Sequence, residues 1–228
     1  FLGAHYTFDN IFAQPSEELT HSAKRYYAEI MMPFRMLCRK YTNLVKTLNV
    51  KFVCPSHGPI YNNPSDILDL YEDWTKDEGK NLVLLPYVSM YGATKEMIEY
   101  LSEKLEEKGI KSLVYDIIRG DLGDLAMGLV DATTMVLGVS MVLAGPHPAA
   151  VNTAYLAGVL RPKLKIASFV GSYGWAGKLF EPLADCVSKL KLDIIEPIQV
   201  KGRLTSDYKK LDAMVESIYS KHKALDLV

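Results

Sequence analysis

The feature that most constrains this chain is a regular alternation of apolar runs and amphipathic stretches after Asn81. The predicted strands are 82–87, 112–117, 135–139, 165–170 and 194–200, and the predicted helices are 94–108, 122–130, 149–160, 178–190 and 206–222. Helical periodicity is clearest in 94–108, where apolar residues recur at three- and four-residue spacing and predict one buried face, formed by Met97, Ile98, Leu101 and Leu105. Strands that are apolar on both faces belong in a parallel sheet covered on both sides. The sequence therefore predicts a doubly wound α/β fold with a five-stranded parallel sheet.

The first eighty residues do not follow this alternation. They predict a helix over 16–48 with Pro33 inside it, a short strand over 50–54 and a helix over 65–78. One strand cannot form a sheet, so this part is expected to belong to another kind of domain. We therefore predict two parts, 1–78 and 79–228, with the charged stretch 73–80 as the connection.

Composition excludes several classes of protein. The formal net charge of -1, with both signs interspersed, lacks the basic surface of a nucleic-acid-binding protein. The longest apolar runs, such as 134–145, are too short to cross a bilayer. The 3 cysteines are scattered, which argues against a disulfide framework and favours a cytoplasmic location. His21 and His222 are expected to be solvated.

Ligands of an open parallel sheet bind beyond the carboxyl ends of the strands, so the loops after the first, third and fourth strands are candidate sites. The first loop consists of Ser89, Met90, Tyr91, Gly92, Ala93 and Thr94. It places hydroxyls, a glycine and backbone N–H groups at a helix N-terminus, which favours a bound phosphate. The alternative is an ordinary helix cap at Thr94 after a tight turn.

The second and third loops are unusually apolar for strand ends. The second loop, 140–148, includes Ser140, Met141, Val142, Leu143, Ala144 and Gly145, and the third loop, 171–177, includes Ser172, Tyr173, Gly174, Trp175 and Gly177. Apolar and aromatic side chains could contact a flat ring while glycines let the backbone approach its polar edge. Packing against a neighbouring subunit would also explain each loop alone. Together the three loops predict a flat, phosphorylated ligand.

These three loops resemble the FMN-binding domain of the flavodiiron proteins, also called A-type flavoproteins. Upstream, 54–61 (Cys-Pro-Ser-His-Gly-Pro-Ile-Tyr) is similar to the end of the metallo-β-lactamase-like domain of that family, and 1–6 resembles the segment after a bridging aspartate of its di-iron site. The resemblance covers essentially the whole chain. The iron-binding pattern His-x-Glu-x-Asp-His of the family is absent from this sequence, so we expect a C-terminal portion of a longer protein.

The resemblance implies that the residues named in the three loops bind FMN and that His57 is one ligand of two non-haem irons in the intact protein. A lone histidine is otherwise more often structural. The implied activity is reduction of dioxygen to water, or of nitric oxide to nitrous oxide, with electrons from rubredoxin or a reduced deazaflavin coenzyme. The implied assembly is a head-to-tail homodimer or a dimer of dimers. The alternatives are a flavodoxin-like electron carrier without catalytic iron and a flavin-free assembly domain.

Overall fold

The computed structural model describes residues 1–5, 10–175, 178–203 and 208–228. The chain divides into two compact units, Phe1–Asp77 and Glu78–Val228, called here the first and the second unit. Among the described residues, no helix has both the length and the apolar composition needed to cross a membrane.

The first unit contains three α-helices, α1 (Glu17–Tyr26), α2 (Arg35–Thr47) and α3 (Ser65–Thr75). The single helix predicted over 16–48 is wrong, because a π-helical turn (Tyr27–Met31) and a 3-10 turn (Met32–Phe34) separate α1 from α2. Pro33 explains the interruption, since proline has no N–H for the helical ladder and clashes with the preceding turn. The strand predicted over 50–54 is only a bridge in the described structure, between Val53 and Tyr61.

Aromatic side chains form the centre of the first unit. The ring of Tyr71 lies 5.3 Å from that of Tyr27 and 5.4 Å from that of Trp74, and all three side chains are buried. The Tyr27 hydroxyl donates to the Trp74 carbonyl at 3.3 Å. Burial raises the pKa of both tyrosine hydroxyls, which therefore stay protonated.

The second unit alternates strands and helices. Its strands are β1 (Lys80–Tyr87), β2 (Lys111–Asp116), β3 (Ala132–Val142), β4 (Gly145–Pro146), β5 (Ile166–Tyr173), β6 (Asp193–Ile194) and β7 (Ile198–Lys201). Its helices are α4 (Ala93–Glu107), α5 (Leu122–Asp131), α6 (Pro148–Leu160), α7 (Glu181–Val187) and α8 (Lys209–Ala224). The predicted start of the last helix, at Ser206, lies outside the described residues.

The main sheet is parallel, in the order β2-β1-β3-β5, and both β6 and β7 pair with β5 at the far edge. This confirms the predicted doubly wound α/β class. The predicted fifth strand is split into β6 and β7, and Pro197, which has no N–H to donate, lies in the gap. The prediction that every strand is apolar and buried on both faces fails at the edge strand β2, where Leu113 and Val114 are exposed.

Right-handed crossovers place α4 on one face of the sheet and α5, α6 and α7 on the other. Helix α8 packs beside α4, and α6 packs beside α7. The predicted apolar face of α4 is buried, with Met97, Ile98, Leu101 and Leu105 all inaccessible to solvent. Because this helix is fixed against the sheet, its N-terminus is held at the carboxyl edge of β1.

His222 contradicts the expectation of a solvated side chain, because its exposure is 0%. Its Nε2 lies 2.7 Å from Thr134 Oγ1, and its Nδ1 lies 2.8 Å from Asn81 Oδ1. The Asn81 amide nitrogen also donates to the Gly109 carbonyl, at 2.9 Å. Burial lowers the pKa of His222, which favours the neutral imidazole. A lone histidine near the end of the sequence did not indicate that the His222 side chain lies on the buried side of α8.

Candidate functional site

The carboxyl ends of β1, β3, β5 and β7 surround a cavity of about 470 Å³. The lining residues are Met90, Tyr91, Ala93, Ser140, Met141, Val142, Leu143, Ser172, Tyr173, Gly174, Trp175, Gly202 and Arg203. Its volume is in the range of small-molecule and cofactor sites, and its lining is mostly apolar with a few polar groups, as is usual for such sites. All three predicted loops therefore contribute to one cavity.

The first loop ends in a helix N-terminus that can accept an anion. Gly92 has φ +88°, a left-handed conformation that favours glycine, and its N–H donates to Ser89 Oγ at 3.1 Å. The first hydrogen bond of α4 is from Glu96 N–H to the Gly92 carbonyl, at 2.9 Å. Within the described part of the chain, the N–H groups of Ala93, Thr94 and Lys95 thus remain for another acceptor. Together with the helix dipole they favour a negatively charged group.

The Thr94 hydroxyl, predicted to face the phosphate, instead points into the protein. It is fully buried, 3.4 Å from the Val139 carbonyl and 3.2 Å from the hydroxyls of both Ser140 and Ser172. A buried hydroxyl needs hydrogen-bond partners, and the ends of β3 and β5 supply them. Only the backbone N–H of Thr94 is therefore available at the loop.

Ser140 links the first loop to the end of β3. Its hydroxyl donates to the Val88 carbonyl at 3.1 Å and accepts from the Met90 N–H at 3.4 Å. Both partners belong to the segment that leaves β1, so one side chain fixes the entry to the first loop. Ser140 also lines the cavity.

The second loop is a β-hairpin rather than an open loop. Strand β4 pairs with the end of β3, and the two residues between them, Leu143 and Ala144, both have positive φ, +49° and +64°. Hairpin turns with two positive φ angles favour Asn-Gly, so a leucine here is strained. Leu143 is 92% exposed and lines the cavity at its rim. The hairpin therefore holds an apolar side chain in solvent beside the cavity.

The third loop adds aromatic side chains to the rim. Strand β5 continues through Ser172 to Tyr173, whose carbonyl accepts from the Gly202 N–H at 2.8 Å. Trp175 lines the cavity and is 69% exposed. Tyr173, Trp175, Leu143 and Met141 supply apolar surface that a planar ring could cover.

The structure places most of the predicted residues at the cavity and leaves others away from its surface. The predicted residues that do not line it are Ser89, Gly92, Thr94, Ala144 and Gly145. Gly177 and Tyr6 lie outside the described residues. Ser89 and Gly92 still shape the first loop through their mutual hydrogen bond.

Sequence reasoning missed Gly202 and Arg203, which follow β7 and line the cavity. The end of the fifth predicted strand lies at the same edge of the sheet, so this loop should have been examined with the other three. Arg203 Nε lies 3.4 Å from Glu96 Oε2, and the Tyr208 hydroxyl donates to Glu96 Oε1 at 2.9 Å. This hydrogen bond to a carboxylate raises the pKa of Tyr208 and keeps it a donor.

His57, the predicted iron ligand, is exposed in the first unit, and its ring lies 5.9 Å from that of Tyr26. The ring of His5 also contacts Tyr26, at 5.2 Å, and its Nε2 lies 3.2 Å from Glu29 Oε2. No group of three histidine, cysteine, aspartate or glutamate side chains among the described residues could hold a metal ion. The residues described here therefore do not by themselves fit a di-iron centre.

Relatives with known sequences support one family. An uncharacterized protein of Methanocaldococcus jannaschii, MJ0732, is 30% identical over 181 residues, which are 79% of this chain and 46% of that protein. The nitric oxide reductase of Moorella thermoacetica is 28% identical over 176 residues, 76% of this chain and 44% of that protein. The rubredoxin-oxygen oxidoreductase of Megalodesulfovibrio gigas is 27% identical over 224 residues, 92% of this chain and 54% of that protein. The chain thus spans about half the length of these curated relatives, and no family model matches it.

Comparison with solved structures supports the same fold. The rubredoxin oxygen:oxidoreductase of Desulfovibrio gigas has a TM-score of 0.89 and 25% identity, over 98% of this chain and 58% of that chain. A flavo di-iron protein mutant from Thermotoga maritima has a TM-score of 0.81 and 21% identity, over 97% and 57% of the two chains. A flavodoxin from the domain Archaea has a TM-score of 0.54 and 22% identity, over 62% of this chain and 99% of that chain. The last two, below 25% identity, support the fold alone.

Proposed function

Because this chain belongs to the flavodiiron protein family, we propose that its second unit binds FMN in the cavity at the carboxyl edge of the sheet. The observation that carries the proposal is one cavity whose lining combines two kinds of chemistry. The N-terminus of α4, at Ala93, offers N–H groups, and Met141, Leu143 and Trp175 offer apolar surface. A phosphate on a flat aromatic ring system matches both.

The residues proposed to hold FMN act through backbone and shape more than through reactive side chains. The N–H groups of Ala93 to Lys95 would hold the phosphate, and the apolar side chains of the second and third loops would cover the ring. FMN itself supplies one- and two-electron transfer when bound. This chain contributes binding, orientation and partial exclusion of water from the ring.

For the intact protein we propose an oxidoreductase that takes electrons through FMN and reduces dioxygen or nitric oxide, the substrates in the names of the relatives. Rubredoxin, which appears in the name of one relative, is the proposed electron donor, with a reduced deazaflavin coenzyme as the alternative. We further propose a cytoplasmic homodimer arranged head to tail, or a dimer of dimers. His57 would supply one iron ligand, and further ligands must come from outside the described residues.

Flavin titration of the full chain tests the binding proposal. FMN should bind in a one-to-one ratio, measured by quenching of flavin fluorescence and by a shifted visible spectrum. Ala93→Asp places a carboxylate at the phosphate end of the cavity, and Ala93→Asn is its neutral match in size. Repulsion between like charges should weaken FMN binding by at least about tenfold in the aspartate variant relative to the asparagine variant. Wild-type protein that binds no flavin would overturn the proposal.

A second candidate function is a flavodoxin-like electron carrier without catalytic iron. It is favoured by one observation, that no group of three metal-ligating side chains occurs among the described residues. Iron analysis of the purified, flavin-loaded intact protein separates the two functions. Bound iron with rapid consumption of dioxygen or nitric oxide by the reduced protein supports the oxidoreductase. Reversible flavin reduction without iron supports the carrier.

A further inference from the structure

Arg203 is the only charged residue among the described residues that line the cavity. The preceding Gly202 has φ +69° and is bonded to the end of β5 through its N–H, which directs Arg203 back toward the first loop. One guanidinium Nη lies 3.9 Å from the position that a Cβ on Gly92 would occupy. The side chain is thus held beside the turn that precedes α4.

Among the described residues, the contact of Arg203 with Glu96 engages one nitrogen of the guanidinium. The contact of 3.4 Å joins Nε to Glu96 Oε2, and a guanidinium carries five N–H donors in all. The other cation at this helix end, Lys95, is paired differently, because its Nζ lies 3.4 Å from Glu99 Oε1. Lys95 is also absent from the cavity lining. Both cations lie near the first loop in space, but Arg203 lines the cavity and Lys95 does not.

We infer that Arg203 is a specificity-determining residue that selects the phosphorylated flavin over the same flavin without phosphate. This inference rests on the proposed binding of FMN. Backbone N–H groups at the N-terminus of α4 can bond to a hydroxyl as well as to a phosphate, although they favour the anion. The guanidinium adds a full positive charge, which interacts much more strongly with a phosphate dianion than with a neutral hydroxyl. The N-terminus of α4 provides the position for the phosphate, and Arg203 adds the charge that discriminates.

The expected effect is moderate and depends on salt. The Arg203 side chain is 68% exposed, so solvent and ions screen its interaction with a phosphate. Arg203→Gln should weaken FMN binding about tenfold at low ionic strength, and the difference from wild type should shrink as salt is added. Riboflavin has the same ring system and no phosphate, and its affinity should change less than about twofold. Arg203→Lys keeps the charge and should retain most of the preference.

The experiment is a titration of the full chain with FMN and with riboflavin, at two salt concentrations, in wild type and in Arg203→Gln, Arg203→Lys and Lys201→Gln. Lys201→Gln is the matched control, since it removes a cation two residues before Arg203 that does not line the cavity. The inference predicts a reduced ratio of FMN to riboflavin affinity in Arg203→Gln and a ratio near the wild-type value in Lys201→Gln. Riboflavin binding also reports that each variant is folded.

Two results would overturn the inference while leaving the proposed function intact. The first is an unchanged affinity ratio in Arg203→Gln, and the second is an equal reduction in Lys201→Gln, which would indicate a general electrostatic effect. Wild-type protein that binds neither flavin would instead overturn the proposed function. The three results are distinguishable in the same titration series.

Discussion

Replacing His222 with glutamine should reduce the pH dependence of the stability of the second unit. The imidazole is buried between Thr134 and Asn81, and burial lowers its pKa from the ordinary value of 6.5. In the unfolded chain the same group binds a proton as the pH falls below 6.5, and the folded state resists that proton. The stabilisation from the neutral imidazole is therefore complete above pH 6.5 and is lost as the pH falls towards the folded-state pKa.

The size of the effect follows from linkage. Each pH unit below 6.5 removes up to about 1.4 kcal/mol of the free energy of unfolding while the folded imidazole stays neutral. The largest expected loss in the free energy of unfolding between pH 7.5 and pH 5.0 is therefore about 2 kcal/mol. His222→Gln should also lower stability at pH 7.5 by about 1–3 kcal/mol, because a buried hydrogen-bonded network is disturbed.

Urea unfolding of the full chain, followed by circular dichroism at pH 7.5 and pH 5.0 at constant ionic strength, measures both effects. Wild type and His222→Gln differ at one residue, so the difference between their pH dependences isolates His222. His21→Gln removes an exposed histidine and serves as the control for loss of an imidazole elsewhere in the chain. Equal pH dependence in wild type and His222→Gln would refute the reasoning, as would a wild-type protein that gains stability in acid relative to the variant.

Three other predictions concern packing, backbone strain and thiol reactivity. Gly138→Ala would place a Cβ within 2.8 Å of two core side chains, and it should lower the urea-unfolding free energy by about 1–3 kcal/mol; wild-type stability would contradict this packing. The double change Leu143→Asn and Ala144→Gly suits two positive φ angles, and it should raise the same free energy by about 1 kcal/mol; a loss would show that the hairpin is not strained. In a thiol-reagent assay of the native protein, the exposed Cys54 should react first. The buried Cys38 should react last, because burial raises the pKa of its thiol. The reverse order would be inconsistent with the burial described.

The sequence pattern predicted the second unit well because helices such as α4 carry one apolar face and the central strands are apolar on both faces. The apolar face of α4 is an example, and its four predicted core residues are all buried. The break in the helix after Tyr26 was less visible, because a proline permits either a kink or an end. The strand β2 was predicted, but its exposure was not, because hydrophobicity indicates strand formation and does not reveal which strand lies at the edge of the sheet.

At the candidate site, the sequence predicted the loops better than the direction of individual side chains. The first loop lies at the cavity as expected, but the Thr94 hydroxyl points inward because buried carbonyl and hydroxyl groups at the ends of β3 and β5 are its neighbours. The direction of the Thr94 hydroxyl depends on partners that are 45 or more residues away in sequence. Arg203 was missed for the same reason, since only the sheet order brings it next to Gly92.

The contact of Thr94 with Ser140 and Ser172 joins the N-terminus of α4 to the ends of β3 and β5 through hydroxyl groups. A cavity whose walls are tied together in this way has little need to rearrange during complex formation. The observed rate constant of flavin binding in stopped-flow mixing should then rise in proportion to the flavin concentration. It should not reach the plateau that a slow conformational step imposes.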